Sequence, residues 1–494
     1  MRIDVQSAAP LDFETLCLVV PVWQDAGLSD VAAELNRQLD GLVKSIVAED
    51  GFKAGGGETR VLHTPGKAAP RVVLVGLGKR NKVSVESLRK AAAKAARAVR
   101  GIKRESFALA LPNLKTIKPE EAAAAITEGI ILGLHVYNDL KTDKDKPTTI
   151  AQATLLSNSV KAAQRGVDQA QLYATANLRA RALVNLPSNL KTPEYLAEQA
   201  RQIAAESGLR CEVWDENRII AERMGALYAV GMGSDNPARF IILEYCPSGH
   251  EKEAPLILVG KGMTFDTGGY SIKPSTGMED MKDDMAGAAV VLATMSAITE
   301  LQPAHRVLAL IPSAENMVNG NAQRPGDVVT ARNGKTIEVL NTDAEGRLIL
   351  ADALSYASEQ KPAAIIDYAT LTGAIGIALG QEAAGLFSND DELTNRIRAA
   401  GDKSGDRVWP LPIWDEYKDH VKGTVSDLKN MGKERHAGSI AGAVFLEHFV
   451  GENIPWAHLD IAAVSFIRED RPLSARGATG FGVRLTLELL RNWQ

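Results

Sequence analysis

From residue 193 onward the chain changes period every ten to twenty residues. A helical pattern to residue 207 gives way to an apolar strand over 211–214, a helix follows to residue 224, and strands over 241–245 and 256–259 come next. Short apolar runs alternating with helix-length segments bury their strands on both faces, which parallel connections allow. This rhythm predicts a mixed, largely parallel sheet covered by helices. Residues 1–150 repeat it on a smaller scale, with strands over 16–22, 71–75 and 107–111 and helices over 30–49, 85–101 and 119–139. The charged, proline-containing stretch 141–149 reads as a boundary, followed by a strand over 151–155 and one long helix over 160–184. The expected architecture is therefore α/β with two domains: an N-terminal one over 1–150, a linking strand and helix over 151–184, and a C-terminal one over 185–494.

The carboxyl ends of parallel strands are where such sheets bind ligands. In this chain they collect unusual residues. Leu256-Ile257-Leu258-Val259-Gly260 runs into Lys261, Asp266 and two glycines, with Lys273 close behind. Met281-Lys282-Asp283-Asp284 opens an apolar helix, and taken alone its two aspartates read as helix caps. Asn341-Thr342-Asp343-Ala344-Glu345-Gly346-Arg347-Leu348 lies between an alternating apolar run and a helical run. In an extended segment Asp343 and Glu345 project the same way, and two buried like charges are unfavourable unless a cation lies between them. Three segments therefore offer carboxylates, Asp266, then Asp283 and Asp284, then Asp343 with Glu345; four carboxylates would balance two divalent ions, and such an oxygen-rich set suits Mn²⁺ or Mg²⁺ and tolerates Zn²⁺. Paired ions about 3.5 to 4 Å apart activate water at neutral pH, so the implied chemistry is hydrolysis.

Other chemistries have little support. His63, His135, His250, His305, His420, His436, His448 and His458 form no zinc motif, and a serine-hydrolase elbow is absent. Gly76-Leu77-Gly78 lacks the third glycine of a dinucleotide loop and reads as a tight turn. Lys and Arg outnumber Asp and Glu by 22 to 18 in residues 1–150, whereas the remainder has 34 against 43, so a globally basic nucleic-acid binder is excluded. The helix carrying Arg89, Lys90, Lys94, Arg97, Arg100, Lys103 and Arg104 is more often a solvated face than a DNA surface. DNA binding through it is nevertheless the alternative function. Three cysteines, far apart in sequence, give no disulfide framework, and no apolar signal core opens the chain; both imply a cytoplasmic protein with no membrane span.

Residues 261–266, 281–287 and 341–348, in this order and spacing, resemble the signatures of the leucine aminopeptidase family, its bacterial members included. Asn185-Leu186-Pro187-Ser188-Asn189 and Trp456-Ala457-His458-Leu459-Asp460-Ile461-Ala462 are similar as well, and the likeness covers most of residues 165–494. The resemblance implies a loosely held ion on Asp266, Asp284, Glu345 and the Lys261 amine, with a tighter one on Asp266, Asp343 and Glu345. It further implies that Lys273 stabilises the oxyanion, that Arg347 holds a bicarbonate relaying the proton, and that Met281, Thr370, Gly373 and Ala462 line the pocket for the first side chain. A homohexamer of two stacked trimers, acting on peptides with a free amino terminus and an apolar first residue such as leucine, is the expected assembly and substrate. Asp283 stands where relatives often carry an uncharged residue, and Asp284 is taken as the ligand from its distance to Met285-Ala286-Gly287. Physically, Lys261 ligates only as a free amine, and moving its pKa from ~10.4 to about 7.5 corresponds to roughly 4 kcal/mol, which a neighbouring dication can supply.

Overall fold

The computed structural model describes residues 1–25, 28, 30–49, 51–142, 147–433 and 436–493. Its backbone divides into two compact units, Met1–Thr175 with Arg468–Arg476, and Ala176–Ile467 with Gly477–Gln494.

The first unit is built on a six-stranded sheet in the order Arg2–Gln6, Gln152–Leu156, Ser106–Ala110, Leu18–Val22, Arg71–Gly76 and Thr59–His63. Neighbours are parallel except the last pair. The strand expected to link two domains is thus internal to this sheet. Leu155 and Leu156 point to opposite faces and are both buried, in separate apolar clusters, so withdrawing that strand would expose apolar surface on both faces. The boundary falls later, inside the single long helix Val160–Asn185, and residues 143–146 of the expected boundary stretch lie outside the described residues. The helix expected over 30–49 is two helices, Asp30–Gln38 and Leu42–Glu49, because Asp40 and Gly41 take left-handed φ values of 49° and 89°. Val85–Gly101 forms as expected, with Ser84 and Ser87 closing a capping box at its start.

In the second unit a nine-stranded sheet runs Val408–Pro410, Ala384–Ser388, Trp456–Asp460, Ala364–Ala369, Leu256–Gly260, Val307–Asn316, Arg239–Tyr245 and Arg210–Trp214, with Gly262–Asp266 added beside Val307–Asn316. The four strands from Trp456–Asp460 to Val307–Asn316 are mutually parallel. They end on one edge at Asp460, Ala369, Gly260 and Asn316. Ala286–Leu301, which packs on this sheet, is apolar around its whole circumference because it is buried; with the preceding turn it is long and apolar enough to cross a membrane, yet most of it lies inside the unit. Thr336–Glu338 belongs elsewhere, to a three-stranded sheet with Val328–Thr330 and Leu428–Lys429.

Candidate metal centre

Lys261 follows directly on the central strand, where its backbone N–H bonds Tyr368 O at 3.0 Å and fixes its direction. Its side chain is buried, and Nζ meets Asp284 Oδ1 at 2.7 Å, Glu345 Oε1 at 2.9 Å and the Thr370 carbonyl at 2.8 Å. A Cβ on residue 346 would lie 2.6 Å from that Nζ, so glycine there is what admits the lysine. Asp266 closes Gly262–Asp266. Its Oδ1 accepts from Asn316 Nδ2 at 2.7 Å and from Gly268 N at 2.9 Å, while Oδ2 pairs with Lys273 Nζ at 2.7 Å. Lys273 also pairs with Asp343 Oδ1. Asp266, Asp343 and Glu345 each offer an oxygen, and these atoms lie within 4.8 Å of one another.

Two sequence expectations about the route to this cluster are corrected. Asp343 and Glu345 do not project from the end of a main-sheet strand: Asp343 sits in a turn closed by Ala344 N to Asn341 O, and Glu345 has helical backbone at the start of Gly346–Glu359. They converge through the turn rather than through strand alternation. Asp284 is not a cap either. The short turn Met278–Asp283 precedes it, the helix begins only at Ala286, and its carboxylate is taken by Lys261 and by Thr370 Oγ1 at 2.7 Å. Asp283 stays out of the cluster; burial pushes its carboxyl up to about 7, and Lys191 opposes that shift more than Lys261 does.

Three buried carboxylates and the half-buried Asp343, against two ammonium groups, leave the cluster short of positive charge. Burial, then the charge of Glu345, pushes Asp266 up to about 7, and burial raises Asp284 and Asp343 as well. Only Glu345 stays below its ordinary value, because Lys261 and Lys273 outweigh its burial. Both lysines are held well above the usual ammonium range, since the carboxylates overcome the desolvation that opposes their charge. The site therefore retains protons where it would accept cations. Asp284 Oδ2 is buried without a hydrogen-bond partner. Hard oxygens, one amine and an orphaned carboxylate oxygen are a donor set that fits divalent ions.

The chain matches the catalytic-domain model of the cytosol aminopeptidase family over residues 178–487 and its N-terminal-domain model over 19–144. The chain belongs to the cytosol aminopeptidase family. Membership carries the coarse activity, that of a metal-dependent aminopeptidase, and confirms the resemblance read from the motifs. Relatives named probable cytosol aminopeptidase include that of Desulfovibrio desulfuricans, 44% identical with 99% of each chain covered, and that of Aquifex aeolicus, 44% identical with 93% and 92% covered. Among solved structures, a tomato leucine aminopeptidase variant superposes with a TM-score of 0.91 at 35% identity, covering 99% of this chain and 96% of its own. The bottromycin maturation enzyme BotP in complex with Mn reaches 0.86 at 34% identity, covering 96% and 99%.

Around the aminopeptidase cluster the remaining expected residues are distributed unevenly. Arg347 is buried, gives Nη1 to Asn430 O at 2.9 Å and keeps Nε without a partner. Thr370 touches the cluster directly, whereas Met281, Gly373 and Ala462 are more open to solvent. Asn316, which fixes Asp266, and Asp460, which fixes the loop after Thr370, were not singled out from sequence; each ends a parallel strand of the main sheet, and that position was the available signal. His458 is a hydrogen-bonded core residue, bound through Nδ1 to Asp367 at 2.5 Å.

The basic helix is not the open charged face the sequence suggested. Arg89 is 3% exposed and bonds Glu128 at 2.6 Å, while Arg97 and Arg100 donate to the Gly133 and Leu134 carbonyls at 2.7 and 2.8 Å. Lys90 pairs with Glu86 at 3.4 Å, and Lys94 is exposed.

Proposed function

We propose that this chain is a two-metal leucyl aminopeptidase that removes amino-terminal residues, apolar ones preferred, from peptides. The observation carrying the reading is the convergence of Asp266, Asp343 and Glu345, with Asp284 and Lys261 alongside. Asp266, Asp284, Glu345 and Lys261 would hold one ion and Asp266, Asp343 and Glu345 the other, as Mn²⁺ or Zn²⁺ with Mg²⁺ also accommodated. Bound there, such ions supply a nucleophilic water at neutral pH and polarise the scissile carbonyl.

The chain's own residues do the rest. Lys273 keeps a fifth of its side chain exposed, and its ammonium would meet the oxyanion that develops on the tetrahedral carbon. Arg347, with Nε uncommitted, would grip a planar anion such as bicarbonate that takes up the proton. Met281, Thr370, Gly373 and Ala462 would shape the pocket for the first side chain. An α-amine with a free lone pair is recognised at the cluster and an acylated one is not, which confines cleavage to the amino terminus. The same reading makes the protein a cytoplasmic homohexamer.

The test is direct. Chelation is expected to abolish hydrolysis of leucine anilide, Mn²⁺ to restore it, and an N-acetylated peptide to remain intact; cleavage of the acetylated peptide at an equal rate would refute the amine anchor.

A further inference from the structure

Trp456–Asp460 and Ala364–Ala369 are adjacent parallel strands in register, with Asp460 opposite Ala369. The loops leaving both strands run side by side. One carries Thr370, Leu371, Thr372 and Gly373; the other carries Ile461, Ala462 and Ala463. Between them lies the Asp460 carboxylate, which is fully buried. Its Oδ1 accepts from Leu371 N at 3.2 Å, Thr372 N at 3.4 Å and Ala462 N at 3.3 Å, and its Oδ2 accepts from the Thr372 hydroxyl at 2.6 Å. The Thr372 proton is thereby committed. Ser439 Oγ, 2.7 Å from Thr372 Oγ1, must then be the donor in that contact, which draws in the helix Gly438–Glu447.

The first loop is fixed at two points with different duties. Thr370 binds the metal cluster, its carbonyl accepting from Lys261 Nζ and its hydroxyl donating to Asp284 Oδ1. At the next two residues, Leu371 and Thr372, the backbone hangs on Asp460. One carboxylate therefore sets how far the loop reaches beyond the cluster and how near Ala462 stands to it. Both are walls of the pocket assigned above.

We propose that Asp460 is the positioning residue that sets the size of the pocket for the substrate's first side chain, by holding the 370–373 loop and Ala462 together. The inference rests on the aminopeptidase reading of the site. A carboxylate is suited to the task because four donors converge on it. Asparagine at 460 keeps the Oδ1 acceptor for the three backbone N–H groups but turns an amide donor toward Thr372, so it loosens one side only. Thr372→Val deletes the Oδ2 contact and leaves the carboxylate in place.

Mn²⁺-loaded Asp460→Asn is expected to lower the leucine-over-glycine ratio of kcat/KM by about tenfold, with the change carried in the KM for leucine, because the pocket no longer matches a branched side chain. Thr372→Val should lower the ratio less, and Asp460→Ala more; if Asp460→Ala fails to fold, the other two variants decide. Amide hydrogen exchange over residues 369–373 and 461–463 should accelerate in the Asn and Ala variants while exchange in the Ala286–Leu301 helix does not change. Parallel losses in kcat for both substrates with the ratio intact would overturn the proposal, as would unchanged exchange in the two loops. A wild-type enzyme with no leucine preference would instead sink the substrate reading, and the exchange experiment would then decide the positioning role alone.

Discussion

The two sheets follow one building rule and diverge at their carboxyl edges. In the first unit the parallel strands run out into Ser7, Trp23, Leu77, Leu111-Pro112 and Ser157, none of them ionisable. In the second they run out into Lys261 and Thr370 or end on Asn316 and Asp460, and the neighbouring segments add Asp266, Asp284, Asp343 and Glu345. Charge is plentiful in both units, but its use differs. The first unit turns Arg89, Arg97 and Arg100 of its basic helix inward, to a buried carboxylate and to helix-end carbonyls that would otherwise lack partners. The second gathers carboxylates faster than it supplies cations. A cluster left with surplus charge is where a ligand is needed, and a charge already matched by its own fold is structure.

Lys273→Met gives the largest effect expected of this contrast. Removing a donor aimed at a developing oxyanion costs about 10²- to 10³-fold in kcat, while the Mn²⁺ content of the purified enzyme should hold. If KM rises and kcat stays, Lys273 binds the ground state and the assignment is wrong. Arg89→Met is the counterpart in the first unit. Side chains of Arg89 and Glu128 are 4% and 6% exposed, and stripping one partner from a buried pair costs about 3 kcal/mol or more. Denaturant melts should show that loss, with kcat/KM of the folded enzyme unmoved. A variant of undiminished stability would break the claim that the basic helix is internal structure.

How much of this was readable follows the range of the interactions. Alternation of period is local, so the α/β class and the extent of Val85–Gly101 and Val160–Asn185 were legible. The members of the cluster stood out too, because Lys261, Asp266, Asp284, Asp343 and Glu345, which the fold brings together, lie in glycine-rich or helix-opening contexts that few structural residues share. What the sequence hid was partnership across distance. Arg89 meets Glu128 thirty-nine positions away, and nothing at Arg89 distinguishes it from the solvated Lys94. Asp284 passed for a cap because its real partners, Lys261 and Thr370, are 23 and 86 positions off. The strand Gln152–Leu156 passed for a linker because its neighbours Arg2–Gln6 and Ser106–Ala110 are distant in sequence.

Protonation sharpens the contrast at a smaller scale. In the metal-free protein burial and Glu345 raise Asp266 from 3.8 to about 7. Between those values the unfolded chain releases a proton that the folded chain keeps, so stability from this group falls as pH rises through the window. Divalent ions bind the ionised carboxylates and reverse the sign. The gain in Tm on adding Mn²⁺ should therefore be greater at about pH 8 than at about pH 5.5. Equal gains at both would mean the cluster is already ionised without metal.

The smallest effect concerns the arginines that the sequence offered as a DNA face. Arg97 Nε and Arg100 Nη1 satisfy the last carbonyls of Pro119–Leu134, where the helix dipole also favours a cation. Arg97→Gln should cost about 1 kcal/mol of stability, read as a modest fall in denaturant midpoint. If duplex binding at low salt weakened while the midpoint stayed fixed, Arg97 would be serving a phosphate rather than a carbonyl. The first unit would then resemble the second, with charge reserved for a ligand.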